Sequence, residues 1–336
     1  MKVLLVQVKR IGDLILTTPV VKALRAAKPH CHITVIADSS AASLLPALGV
    51  DQTWTFERAG LLANLFRPSI NSWIKSDLPF SEFAYCLDFT GTDRSALVSV
   101  LAGGSKRVTY ERFRKKFLRP QIYQQFVDSS VRLRHTADHH TDLLRPLGIE
   151  VENVPSELHI PDLIHAEVRA KLENHEIEGA YAVIHAGTAR PEKYWEPDRW
   201  AQVIEFLRSR YGLDTILTGS SDPAEQAHLA AIKAALKVPC VDLSGDTDLI
   251  ELATVISGAR FFGGVDTAAM HLADAFGTRS VALFGPTNPF QWRPRNPRSA
   301  VVRADTEEPF TPDQKGGPMS DIAVPAVLEA IERVLD

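Results

Sequence analysis

The residues best suited to chemistry lie in glycine-bearing turns, and the first of these is Lys9-Arg10-Ile11-Gly12-Asp13. It follows the β-branched apolar run Val3–Val8 and precedes Leu14–Ala27, whose apolar residues recur at helical spacing. That order reads as strand, tight loop, helix. A dinucleotide-binding turn needs G-x-G-x-x-G so that the backbone can approach a pyrophosphate closely. Here a single glycine is followed at once by an acid, and a carboxylate at a helix start repels phosphate. The turn is therefore suited to another group, such as a hydroxyl awaiting deprotonation, unless Asp13 merely caps a helix beginning at Leu14.

The second half of the chain carries the complementary features. In FFGGVDTAAMHLADAFG (261–277) a strand ends in Gly263-Gly264, and Asp266-Thr267 open a helix whose free N–H groups can hold phosphate. Asp266 is either the helix cap or a partner for a hydroxylated ligand. HAGTARPEKYWEPDRWAQVI (185–204) places a glycine loop with Thr188 after another strand and Lys193 before the next helix. That lysine is either solvated or able to neutralise a leaving pyrophosphate. LTGSSDPAEQAHL (217–229) repeats the pattern, with Glu225 open to ribose hydroxyls or to a place in its helix's first turn.

The elements that must position these residues alternate. Strands are expected at 33–38, 52–56, 83–89 and 107–110, with helices around 41–48, 94–102 and 138–147. A second series has strands at 181–187, 215–219, 239–245, 260–266 and 280–286, and helices at 198–210, 223–236, 248–257 and 267–276. A final helix is expected at 323–335. Such alternation implies parallel sheets covered on both faces. The proline-containing stretch 148–168 reads as an irregular linker, so the expected domains are 1–160 and 161–336, two Rossmann-like doubly wound units facing a central cleft.

A length of 336 residues suits two domains. A net charge of −4 argues against a general nucleic-acid binder. Three widely spaced cysteines offer neither a disulfide framework nor a metal knuckle. The N-terminal apolar run is broken by Gln7, Lys9 and Arg10, unlike a signal peptide, and no run approaches a membrane span. A cytoplasmic protein is expected, with peripheral contact at the cytoplasmic face of the inner membrane an option.

Five stretches resemble the heptosyltransferase family of glycosyltransferases (glycosyltransferase family 9): RIGDLILTTPVVKALR (10–25), LDFTGTDRSALVSVLAG (87–103), HTADHHTDLLRPLGI (135–149), IHAGTARPEKYWEPDRWAQVI (184–204) and GGVDTAAMHLADAFGTRSVALFGPTNPFQW (263–292). The resemblance implies an α/β GT-B fold with an N-terminal acceptor domain and a C-terminal donor domain. It also implies inverting, metal-independent transfer of heptose from ADP-heptose to a hydroxyl of the lipopolysaccharide inner core, with no cofactor. In that scheme Asp13 is the catalytic base and Lys193 supports the donor phosphates. The donor set is Thr188, Glu225, Asp266, Thr267, Ala268 and His271, with Ala268 standing where the family usually has glycine. Lys9, Arg10, Gly12 and Arg94 are acceptor candidates.

The segment SKRVTYERFRKKFLR (105–119) has seven Lys or Arg against one acid. With Tyr110, Phe113 and Phe117 interleaved it reads as an amphipathic patch for an anionic membrane or for the acceptor, adding Arg112, Lys115 and Lys116 to that set. GDTD (245–248) suggests capping more than a metal site, and His135 and His139 at i, i+4 lack a third ligand. The rival readings are a GT-B transferase of another nucleotide sugar, a sugar-nucleotide epimerase, and a non-catalytic two-lobed binding protein.

Overall fold

The computed structural model describes residues 1–56, 83–303 and 309–336, which form two compact units, Met1–Glu157 and Leu158–Asp336. In the first, β1 (Lys2–Gln7), β2 (His32–Asp38), β3 (Gln52–Phe56), β4 (Tyr85–Asp88), β5 (Lys106–Tyr110) and β6 (Gln125–Val127) make one parallel sheet in the order β3-β2-β1-β4-β5-β6. Val3 to Val6 are completely buried, as expected of a central strand covered on both faces. The chain winds outward from β1 to β3, then returns to β4 on the other side of β1. Loops that leave the carboxyl ends of β1 and β4 therefore diverge to opposite faces and leave a crevice at that point of reversal.

The predicted first helix is in fact two, α1 (Ile11–Ile15) and α2 (Thr18–Ala27). Pro19 has no N–H to continue α1 and suits the first turn of a new helix. α3 (Asp93–Leu101) starts with a reciprocal capping box between Thr92 and Ser95. After β5 come α4 (Arg119–Ile122) and, beyond β6, α5 (Thr136–Thr141), which continues as a 3₁₀ stretch to Leu147. The expected helix at 41–48 is likewise 3₁₀ in character, spanning Ser39–Leu48 with Pro46 inside it. β6, a three-residue strand, was not expected.

The second unit opens with α6 (Asp162–Asn174), which corrects the reading of 148–168 as wholly irregular. Its sheet comprises β7 (Tyr181–His185), β8 (Asp214–Leu217), β9 (Val241–Asp242), β10 (Phe261–Val265), β11 (Ser280–Leu283) and an unexpected β12 (Ser299–Val302). All strands are parallel, in the order β12-β11-β10-β7-β8-β9, so strand order reverses between β7 and β10. β9 stops short of the predicted 239–245 because Asp242 turns the chain by accepting from the Ser244 N–H at 2.9 Å. The helices are α7 (Pro197–Tyr211), α8 (Pro223–Ala235), α9 (Leu249–Ser257), α10 (Ala268–Ala275), α11 (Pro289–Trp292) and α12 (Val324–Leu335). In the core Trp195 and Trp200 meet edge to face at 5.1 Å, and the Trp195 indole donates to the Ile322 carbonyl at 3.0 Å. That bond satisfies a polar group inside the core and pins the segment before α12.

Candidate active site

Asp13 sits where strand order reverses in the first sheet. Because α1 begins at Ile11, with Arg10 in the cap position, Asp13 is an internal residue of the first turn and not a cap. Its carbonyl accepts from Thr17 Oγ1 at 2.8 Å and from Gln7 Nε2 at 3.5 Å, which fixes the backbone of the turn. Gln7 in turn accepts from Thr90 Oγ1 at 3.3 Å, and the same hydroxyl accepts from the Val8 N–H at 3.2 Å. The loops after β1 and β4 are thus tied together at the crevice. Lys9 Nζ lies 4.0 Å from Asp13 Oδ1.

Two buried histidines back this turn. His140 Nδ1 lies 3.1 Å from the Leu16 carbonyl and 3.4 Å from Thr17 Oγ1. A carbonyl only accepts, so Nδ1 carries the hydrogen. His139 stacks on Tyr110 at 3.8 Å and shares a 2.7 Å bond with Ser129. Burial pushes His139 down to about 2, helped by the positive charge of neighbouring His140, Arg112 and Lys9, and pushes His140 down to about 3. The Arg112 guanidinium lies over the rings of Tyr110 and Phe113, at 5.2 and 4.6 Å. Partial desolvation there draws its pKa down, opposed by Tyr110 and Asp13. Lys9 and Arg112 therefore both belong to the electrostatic surroundings of Asp13.

The remaining acceptor candidates are placed differently. Arg10 and Arg94 are exposed, Gly12 lies inside α1, and Lys115 and Lys116 project from the exposed stretch before α4. The expected amphipathic face over 105–119 is corrected: Tyr110 is fully buried, and Phe113 is buried against Gly91. Gly91 has φ +60°, and a Cβ there would stand 2.1 Å from the Phe113 ring, so only glycine fits. Phe117 alone of the three aromatics is exposed, at 85%.

In the second unit the chemistry also gathers at the reversal of strand order. Lys193, from the 3₁₀ turn Pro191–Lys193, donates to both the carbonyl and the carboxylate of Asp266, each at 2.7 Å. Lys193 is buried, so it is not a solvated surface residue, and its pair with Asp266 joins the loops after β7 and β10. Those two bonds use two of the three hydrogens on the ammonium group. Asp266 is not the helix cap either. Thr267 occupies that position without making a side-chain capping bond, and its buried Oγ1 has no partner among the described residues. The first amides of α10 are left to bind something else.

His271, one turn into α10, is buried, and its Nδ1 has no partner among the described residues. Burial lowers its pKa to about 4, with Asp266 opposing and Lys193 reinforcing the shift, so it is neutral near pH 7. Ala268 begins the same helix. Thr188 is buried and accepts from the Arg190 N–H at 3.2 Å. Glu225 is buried as well, and its carboxylate accepts from the Ser220 N–H at 2.8 Å and the Ser220 hydroxyl at 2.6 Å. A Cβ on Gly187 would come within 1.9 Å of Glu225 Oε1, and one on Gly219 within 2.7 Å. The carboxylate therefore fills the space under two glycine turns and braces them.

The two ambiguous motifs resolve locally. Asp248 caps α9 in a capping box with Glu251, and His135 caps α5 by accepting from the Ala137 N–H at 3.2 Å. Among the described residues no three His, Cys, Asp or Glu side chains converge as a metal-binding group. Residues that sequence reasoning passed over include Thr287, whose buried hydroxyl also has no partner among the described residues, and Trp292, whose ring lies 6.5 Å from His271. Thr287 follows the carboxyl end of β11, beside β10, which is the end of the sheet where ligands bind.

The profile of glycosyltransferase family 9 (heptosyltransferase) matches residues 74–319. The chain belongs to this family. This family 9 glycosyltransferase is 24% identical over 337 residues to lipopolysaccharide heptosyltransferase 3 of Escherichia coli, covering 96% of each chain. Its fold matches that of E. coli ADP-heptose lps heptosyltransferase II with a TM-score of 0.80 at 20% identity, over 100% of this chain and 98% of the other. It matches the E. coli heptosyltransferase WaaC with ADP with a TM-score of 0.77, again at 20% identity, over 99% and 100%. The two parallel six-stranded sheets and these neighbours make the fold GT-B.

Proposed function

We propose that this glycosyltransferase moves a heptose from ADP-heptose to a hydroxyl of the lipopolysaccharide inner core, with inversion and without a metal. The relatives support the substrates through their names, one lipopolysaccharide heptosyltransferase 3 and one solved with ADP. One observation carries the division of labour: in each unit the chemically loaded turn lies at the reversal of strand order, an acid with basic neighbours in one and an amide-rich helix start in the other. The first unit is the acceptor domain in this reading, and the second the donor domain.

The donor diphosphate sits on the first amides of α10 and bonds the Thr267 hydroxyl and the remaining hydrogen of Lys193, with neutral His271 alongside. Thr188 and Ala268 line the approach. Glu225 contributes from below by holding the glycine turns; with both its oxygens bonded to Ser220, ribose recognition is a lesser part of its role. Lys9, Arg10, Gly12, Arg94, Arg112, Lys115 and Lys116 form the acceptor side, where cations meet the anionic groups of the saccharide.

The acceptor oxygen attacks the anomeric carbon while Asp13 takes its proton, and the bond from that carbon to the diphosphate oxygen breaks to release ADP. A single base suffices because a diphosphate leaves without protonation once hydrogen bonds spread its charge. One displacement inverts the anomeric configuration, through an oxocarbenium-like transition state of the kind known from glycoside hydrolysis.

Thermal unfolding with ADP-heptose, ADP, UDP and GDP tests the donor. A ligand that binds only the folded state raises the midpoint. ADP and its heptose derivative should raise it selectively. A response to UDP or GDP alone overturns the donor assignment, and no response to any nucleotide overturns the donor site.

A further inference from the structure

The corner formed by Phe117 and Leu118 combines three features that oppose one another energetically. Phe117 is 85% exposed and Leu118 49%, two adjacent large apolar side chains left in water. Leu118 also adopts φ +59°, a left-handed backbone that a non-glycine residue avoids unless its surroundings impose it. The imposing element lies directly after it. Arg119 is buried, donates to Asp93 and to the Phe117 carbonyl, and so locks the chain in the reversal that carries both side chains outward. Beside them, Leu97, Val100 and Ile122 line a groove of about 370 Å³ shared with Phe117 and Leu118. Val100 is itself 44% exposed.

The rim of this apolar corner carries more positive than negative charge, since Asp93, exposed and lining the groove, is matched by its ion pair with Arg119. Lys115 and Lys116 immediately precede it, and Arg94 lies on the first turn of α3, the helix that forms one wall of the groove; all three are exposed. An apolar tip with lysines flanking it fits a surface that is hydrocarbon a few ångströms down and negatively charged on top, since lysine stems can lie along the apolar layer while their ammonium groups stay among the head groups. We propose that Phe117 and Leu118 insert into the interfacial layer of an anionic bilayer, with the groove beside them covered by lipid and the flanking cations meeting lipid phosphates.

Docking at this corner also places the acceptor side close to lipid. Arg112, in the electrostatic surroundings of Asp13, lies five residues before Phe117, and the buried Phe113 anchors the segment between them. An acceptor carried on a lipid would then be met near the membrane surface. That last consequence rests on the acceptor reading above; docking itself does not.

The test is co-sedimentation of the full chain with vesicles that contain no acceptor, made of phosphatidylcholine with or without phosphatidylglycerol. The parent should bind the anionic vesicles, bind phosphatidylcholine alone poorly, and be released by salt. Phe117→Ser and Leu118→Gly should each weaken binding by roughly tenfold or more, the scale of losing one large apolar side chain from a nonpolar layer. Leu118→Gly guards against a folding artefact, because glycine accepts the left-handed backbone and should leave the melting midpoint unchanged or higher. Failure of the parent to bind anionic vesicles overturns the proposal, as does undiminished binding by both variants. A concentration-dependent dimer that Phe117→Ser abolishes also overturns it, assigning the corner to self-association.

Discussion

Replacing Asp13 with asparagine separates chemistry from architecture, because the structure makes the two costs very different. The bonds that hold this turn run to the Asp13 carbonyl from Thr17 and Gln7, and an amide side chain leaves them untouched. Among the described residues, the stability at risk includes a partly screened 4.0 Å pair with Lys9 and the favourable placing of an acid in a helix's first turn. Together these are worth about 1 kcal/mol, or a midpoint shift of roughly 2–4 °C. Removing a general base costs typically ~10²–10⁴ in rate, equivalent to about 3–5 kcal/mol of transition-state stabilisation. Asp13→Asn should therefore melt almost like the parent and bind ADP with unchanged affinity while kcat for heptose transfer falls at least a hundredfold. ADP release under saturating donor and acceptor measures the rate, and titration calorimetry measures the binding. A variant that turns over within about fivefold of the parent would refute the base assignment. Loss of activity together with loss of ADP binding would mean that Asp13 supports the fold of the site and not the proton transfer.

Lys193→Met leaves Asp266, whose side chain is only 10% exposed, without its cation, so the second unit should lose about 3–5 kcal/mol, read by calorimetric melting. Lys193→Met with Asp266→Asn should recover much of that stability and none of the ADP affinity; parent-like ADP binding by the double variant would remove Lys193 from the donor site. Gly187→Ala drives a methyl group into Glu225 Oε1 and should cost about 1–3 kcal/mol, partly restored by adding Glu225→Ala, with a melt as the readout. His139 and His140 are held neutral in the fold and accept a proton once the chain unfolds. Their penalty is absent above about pH 6.5 and grows as pH falls toward their folded values, amounting to about 2–3 kcal/mol for the pair between pH 7 and 5.5. Denaturant melts across that range check it, and His140→Gln should reduce the loss by its own share, about 1–1.5 kcal/mol, leaving the contributions of His139 and of His271, whose pKa is lowered likewise.

The central strands were legible because burial on both faces writes them as unbroken apolar runs, VLLV in β1 and TVIA in β2. The edge strands β6 and β12 were not, since QFV and SAVV are short and only partly buried. α6 was hidden by the prolines before it, although Pro161 sits in its cap position and interrupts nothing. At the site, residue types and turn positions were readable, but bonds between them were not. Lys193 and Asp266 lie 73 residues apart, and only strand order brings β7 beside β10. Asp13 and Asp266 both looked like caps because a helix boundary read from sequence drifts by a residue or two, and that drift decides whether an acid is capping or free for another role. The basic segment misled for a different reason. Its aromatics were read as one face, whereas Tyr110 ends a buried strand and Phe113 fills the space that Gly91 leaves open.

A lysine whose charge is already matched by an aspartate brings no net charge to an incoming diphosphate. On the reading proposed here, recognition at α10 then falls to oriented dipoles: backbone amides, the Thr267 hydroxyl and a neutral imidazole. Dipoles aimed at oxygen atoms respond to where those oxygens lie more than to how many charges they carry. Inhibitor chemistry can exploit this. An uncharged linker that reproduces the acceptor geometry of the two phosphoryl groups should retain much of the grip of ADP, without the anionic character that keeps nucleotides from crossing cell envelopes.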